Sequence, residues 1–213
     1  MIFSMLSILL SSFVVGLSGA MMPGPLLTVT ISESSRRGMM VGPLLILGHG
    51  MLELVLVICI LFGLAPVLNQ KRVFITIALA GAAILIWMAV GMFRALPSLS
   101  LKGGGNESSR KNNLVIAGAM ISVANPYWTI WWVSIGVGYI VYSLTFGKWG
   151  VFFFFIGHIM ADLLWYSAIS AAVWKGKNFL TDKMYRWLMG VCAAFLVVFA
   201  CGFAWSGIQK LIA

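Results

Sequence analysis

The sequence predicts an all-α polytopic membrane protein with six transmembrane helices, arranged as an inverted 3+3 repeat in which the first and fourth helices are interrupted. Three observations carry that prediction. Of 213 residues, 62% are hydrophobic and only 9% charged, with a mean hydropathy of +1.04, whereas soluble domains run at about 45–50% and about 25%. Apolar runs near the ~20 residues that a helix needs to cross a bilayer recur down the chain. One pattern, Gly-His-x-x-x-acid, occurs in two such runs, about half the chain apart. A soluble fold and a disordered chain are both excluded by this content.

The first run, residues 3–32, lacks the basic start of a signal peptide and continues through a second apolar stretch, so it reads as a membrane segment. Met22-Pro23-Gly24-Pro25 interrupts it, because a proline inside a helix removes one hydrogen bond and frees a carbonyl four residues back. The second run, 39–68, holds Gly48-His49-Gly50-Met51-Leu52-Glu53. The third, 73–93, is plainly apolar and follows Lys71-Arg72. A polar segment, 97–113, with GGGNESSRKNN at its heart, reads as a surface loop between a first repeat (1–96) and a second (114–213). The fourth run, 114–146, carries the break Asn125-Pro126; the fifth, 150–174, carries Gly157-His158-Ile159-Met160-Ala161-Asp162; the sixth, 184–209, is plainly apolar beside Lys183 and Arg186. All six are too long and too evenly apolar for the ~10-residue alternating strands of a barrel.

Charge sets the expected orientation. Ten lysines and arginines fall on the side holding Arg36, Arg94, Arg110 and Lys175, and four on the side holding Lys71, Arg72, Lys148 and Lys210. The positive-inside rule makes the first side cytoplasmic and places both termini outside, in a multi-pass protein of the cytoplasmic (inner) membrane. The Asn106-Glu107-Ser108 sequon then lies on the cytoplasmic side, away from the glycosylation machinery. Basic residues scattered between apolar runs are topology signals, so the net charge of +9 does not indicate nucleic acid. Cys59, Cys192 and Cys201 lie in apolar runs with no C-x-x-C pair, and neither a disulfide framework nor a metal site is expected from them. No cofactor is expected.

The candidate site residues come from the repeated motif and the two breaks. His and acid four positions apart share one helix face, so His49 with Glu53, and His158 with Asp162, can exchange a proton or a hydrogen bond. An unpartnered carboxylate at the bilayer centre costs roughly 2.5–3.5 kcal/mol or more, and two at matching positions point to a lined cavity. The competing reading makes each pair structural glue between helices. Pro23, Gly24, Pro25, Asn125 and Pro126 are candidate substrate contacts, since broken membrane helices present free backbone groups suited to a zwitterion; as a competing reading, they are packing kinks. Trp128, Trp131 and Trp132 share a face and either wall a cavity or form an interfacial belt. Glu33, Arg36 and Arg37 read as a topology anchor, and Gly38 with Gly42 as a close helix contact.

At Pro23-Gly24-Pro25, Gly38, Gly42, Gly48-His49 and Asn125-Pro126 the chain resembles the LysE/RhtB-type amino-acid exporters, over nearly its whole length. The Gly-His-x-x-x-Glu motif marks only some of them. The resemblance implies a secondary exporter of amino acids or close derivatives, driven by an ion gradient, with both breaks in or beside the substrate path. Joined to the residue reading, this predicts proton-coupled alternating access. Substrate is then bound at Pro23 to Pro25, Asn125, Pro126, Trp128, Glu53 and Asp162, and protons are carried by Glu53, Asp162, His49 and His158. The carboxylates serve equally to hold a substrate amino group, and self-association is left open.

Other functions compete. A thiol-redox conductor needs a cysteine pair in the first and fourth spans, which contain none. An intramembrane enzyme or metal-dependent hydrolase has the His/acid pairs available, yet no H-E-x-x-H or G-x-S-x-G element is present. A passive channel is consistent with the same spans.

Overall fold

The computed structural model describes residues 2–64, 67, 70–99, 113–176 and 181–212. The heart of the polar loop, with the sequon and Lys102, Arg110 and Lys111, lies outside the described residues, as does Lys177. All regular structure among the described residues is helical. Five helices are long and apolar enough to cross a membrane, and a bent pair makes a sixth.

The first apolar run folds as two helices, not one interrupted span. Helix α1 (Ile2–Ala20) is long and apolar enough to cross a membrane on its own, and α2 (Pro25–Arg37) is a separate 13-residue helix. The break has a local cause. Pro25 opens α2, where its missing N–H has no helical partner to lose, and Gly24 before it is extended at φ −156° and ψ −173°. The Gly24 carbonyl accepts the first bond of α2 from the Thr28 amide at 3.0 Å.

Helix α3 (Val41–Cys59) runs into a π-helical turn, Ile60–Leu64, where Gly63 takes φ +106°. Helix α4 (Lys71–Ala95) ends in a short 3-10 turn, Leu96–Ser98. The fourth span is α5 (Leu114–Val123), a bend of 65°, then α6 (Pro126–Trp131), a π-helical turn (Trp132–Gly136) and α7 (Val137–Leu144). Asn125 makes the bend: its side-chain oxygen caps the Tyr127 amide at 3.2 Å, and Pro126 starts the new helix. Helices α8 (Gly147–Gly176) and α9 (Asp182–Ile212) are continuous.

Glycines set the closest helix approaches. A side chain on Gly48 would collide with the Val115 carbonyl of α5, and one on Gly157 with the Leu9 carbonyl of α1. Both glycines immediately precede the motif histidines, so α3 lies against α5, and α8 against α1, with a histidine at each seam. Gly42 lies against the Tyr166 carbonyl of α8, and its amide, one of the unpaired donors at the start of α3, is taken by Ser170 Oγ at 2.7 Å. The expectation of close packing at this glycine is met.

Two apolar clusters flank the motif residues. Leu45, Ile46, Tyr166 and Met189 belong to one; Val57, Trp132, Val151 and Phe154 to the other. Along both α3 and α8 the His and acid occupy the turns between them. Helices α4 and α9 pack together through Leu85, Ala89 and Leu196, and Tyr127 at the start of α6 rests on Phe199 of α9, with ring centroids 5.6 Å apart. Large apolar side chains such as Trp87, Trp187 and Phe62 face outward, as a lipid-facing surface requires.

Candidate functional site

The two motifs meet. His49 Nε2 stands 3.1 Å from Glu53 Oε1 on its own helix and 3.7 Å from Asp162 Oδ2 across the α3–α8 contact. His158 Nε2 stands 3.1 Å from Glu53 Oε2 and 3.6 Å from Asp162 Oδ2. All four side chains are buried, Glu53 to 1% exposure and Asp162 to 4%. Helical spacing explains the one contact within each helix; the close approach of α3 to α8 at Gly42 permits the two between helices.

Outer partners orient three of the four groups. Trp128 and Trp132 both donate their indole N–H to Glu53 Oε1, at 2.9 and 2.8 Å. An indole N–H can only donate, so Oε1 serves as the acceptor and Oε2 turns toward His158. Ser122 donates its hydroxyl to the Gly118 carbonyl at 2.7 Å, and its oxygen lies 2.7 Å from His49 Nδ1. With the serine hydrogen spent, Nδ1–H donates to Ser122 and Nε2 is directed at the acids. His158 is held by stacking instead: on Trp131 at 4.7 Å and 25°, with Trp132 edge-on at 5.5 Å.

Glu53 Oε2, Asp162 Oδ2 and both ring nitrogens of His158 have no aligned hydrogen-bond partner among the described residues. These atoms stand at ion-pair distance from their neighbours without hydrogen-bond alignment, and they border a common space. Atoms of His49, Glu53 and Asp162, one from each, lie within 4.8 Å of one another, a set that could hold a metal ion.

That common space is the end of a cavity with about 60 Å³ open to water centres, room for roughly four waters. Pro23, Gly24, Asn125, Trp128 and the four motif side chains all line it. The two breaks face each other: a Cβ on Gly24 would lie 3.8 Å from Asn125 Nδ2. Leu85 of α4 and Leu196 and Phe199 of α9 close another side.

A LysE type translocator family model matches residues 17–207. The chain belongs to the LysE type translocator family. It is a multi-pass membrane protein of that family, 31% identical over 182 residues to the chemotactic transduction protein ChpE of Pseudomonas aeruginosa, covering 82% of this chain and 86% of the relative. A Bacillus subtilis protein provisionally named amino acid efflux protein YcgF is 24% identical over 210 residues, 97% of this chain and 100% of the relative. No solved structure matches.

In this LysE type translocator, His49, Glu53, His158, Asp162, Pro23, Gly24, Asn125 and Trp128 border one cavity. Pro25, expected as a substrate contact, begins α2 as a buried residue outside the cavity lining, and Pro126 begins α6. Trp131 and Trp132 sit in the interior, at 5% and 1% exposure, so the tryptophan face is turned into the protein. Glu33 and Arg37 pair at 3.3 Å on α2, away from the cavity lining. Sequence reasoning missed Ser122 and Tyr166, which also line the cavity. Ser122 lies three residues before the recognised Asn125 break, and that proximity was the one signal available.

Proposed function

We propose that this translocator exports amino acids or amino acid-like small solutes across the cytoplasmic membrane by alternating access coupled to protons. One observation carries the reading: both helix breaks and all four motif side chains border a single cavity. The breaks bind the zwitterionic part of the solute. The breaks at the start of α2 and between α5 and α6 bring backbone and the Asn125 amide to the cavity, groups suited to a carboxylate and an ammonium. Glu53 and Asp162, assisted by His49 and His158, take up and release protons, or alternate between protons and the substrate amino group.

Structural glue fits less well. Glue needs no open space beside it, whereas these four side chains border a cavity that reaches both helix breaks. The relative named for amino acid efflux, matched along its full length, supports the substrate class. The reciprocal seams of α3 on α5 and α8 on α1, each at a motif glycine, support the inverted 3+3 repeat. The basic residue bias supports both termini outside. Solute movement needs no bond made or broken, and no catalytic residue is assigned.

The test is release of a panel of labelled amino acids from proteoliposomes, with and without an imposed pH gradient. Gradient-accelerated release of one chemical class supports the reading. Folded protein that releases nothing on the panel overturns it.

A further inference from the structure

The geometry points to a binding site for one divalent first-row transition-metal ion, formed by His49, Glu53 and Asp162 beside His158. His49 Nε2 stands 3.1 Å from Glu53 Oε1 and 3.7 Å from Asp162 Oδ2, and one ligand atom from each of the three residues lies within 4.8 Å of the others, close enough to converge on one ion. Hydrogen-bonded pairs would point at each other, yet Glu53 Oε2, Asp162 Oδ2 and His158 Nε2 are buried and unaligned beside a shared space.

The outer partners make the stronger case. A metal-bound histidine commonly donates its remote N–H to an acceptor, and a ligating carboxylate is itself hydrogen-bonded. His49 does the first through Nδ1 to Ser122, which is anchored in turn on Gly118. Glu53 does the second through Oε1, held by Trp128 and Trp132. In each case the other ring or carboxylate atom remains for an ion. Imidazole with carboxylate suits Zn²⁺, Co²⁺ or Mn²⁺ rather than soft, thiolate-seeking ions, and two carboxylates balance the charge of a divalent cation. Among these ions Zn²⁺ is the one the His and carboxylate set suits best, with Co²⁺ as its spectroscopic stand-in.

Tag-free protein in detergent, titrated with Co²⁺ and then Zn²⁺, tests this without any transport measurement. Expected is one ion per chain with the strong visible absorption of four-coordinate Co²⁺, bleached by Zn²⁺. His49→Ala and Asp162→Asn each weaken binding at least ~10-fold, and Trp128→Phe, which keeps every ligand, weakens it about 10-fold. Cys192→Ala leaves it unchanged. Wild-type protein that binds no ion saturably, or binding that survives both His49→Ala and Asp162→Asn, overturns the site. Should either ligand variant fail to fold, Ser122→Ala decides: it weakens binding, and unchanged affinity overturns the proposal. Ion and proton are alternative occupants of this centre, since ligating atoms are deprotonated, and amino-acid release assayed in metal-free buffer is a separate result, so failure of one reading is not failure of the other.

Discussion

Trp132 donates its indole N–H to Glu53 Oε1 at 2.8 Å, from a helix 79 residues away, and both side chains are almost completely buried. Trp128 adds a second donor to the same oxygen at 2.9 Å. The segment after the second helix break therefore holds the acid of the first motif, linking the break to the charged centre. A hydrogen bond to a charged group contributes about 1.5–3 kcal/mol. Trp132→Phe is expected to lower stability by about 2 kcal/mol, visible as a lower melting temperature in detergent. Trp128→Phe, beside the cavity, costs about as much stability but slows solute release more.

The motif glycines give a steric prediction. Gly48→Ala and Gly157→Ala each drive a methyl group into a backbone carbonyl of the facing helix, which cannot move aside as a flexible side chain would. A loss of about 1–3 kcal/mol is expected for each. Gly202→Ala is the control, because a Cβ there meets nothing within 4 Å, and it should hold or raise stability by up to about 1 kcal/mol. Thermal unfolding of the three variants in one detergent checks the order.

Asn125 predicts a separation of stability from transport. Its side chain caps the Tyr127 amide, and Asn125→Ala removes that cap at a cost of about 0.5–2 kcal/mol. It also removes the amide that faces Gly24 across the cavity. Asn125→Ser restores a capping oxygen without that amide, so it should recover the melting temperature and leave solute release impaired. Recovery of both would reduce Asn125 to a structural cap.

Gly24 predicts a blockade. Its backbone is extended, a conformation open to any residue, and a Cβ would sit in ordinary contact with Asn125. Gly24→Ala should fold and function nearly as wild type, whereas Gly24→Leu should fold and lose solute release by filling the cavity. Comparing release with size-exclusion profiles of the two variants checks this.

Much of this site was legible because it rests on short-range rules. The four-residue spacing brings His49 to Glu53 and His158 to Asp162, and Pro25 and Asn125-Pro126 break helices for reasons internal to the backbone. The contacts of His49 with Asp162 and of His158 with Glu53 were not legible, because they depend on the register between α3 and α8. That register is set where Gly42 lies against the Tyr166 carbonyl and bonds Ser170, a pairing no single-helix pattern encodes. The break between α1 and α2 was legible at Pro23-Gly24-Pro25, but not that α1 alone is long enough to span, because Leu26 and Leu27 carry the apolar run past the break. Trp132 was visible as one of a tryptophan face, but its bond to Glu53 needs the π-helical turn at Trp132–Gly136 and the bend at Asn125.

The decisive comparison is release of a labelled amino acid from proteoliposomes under an imposed pH gradient by wild type, Glu53→Gln and Asp162→Asn. Each variant must be shown folded and reconstituted at equal density. If the buried His and acid centre couples solute movement to protons, the gradient accelerates release by the wild type. Each neutralised variant then loses at least ~10-fold of that acceleration, about 1.4 kcal/mol of barrier. Gradient-driven release at the wild-type rate by both variants contradicts that role and leaves the two carboxylates as structural groups.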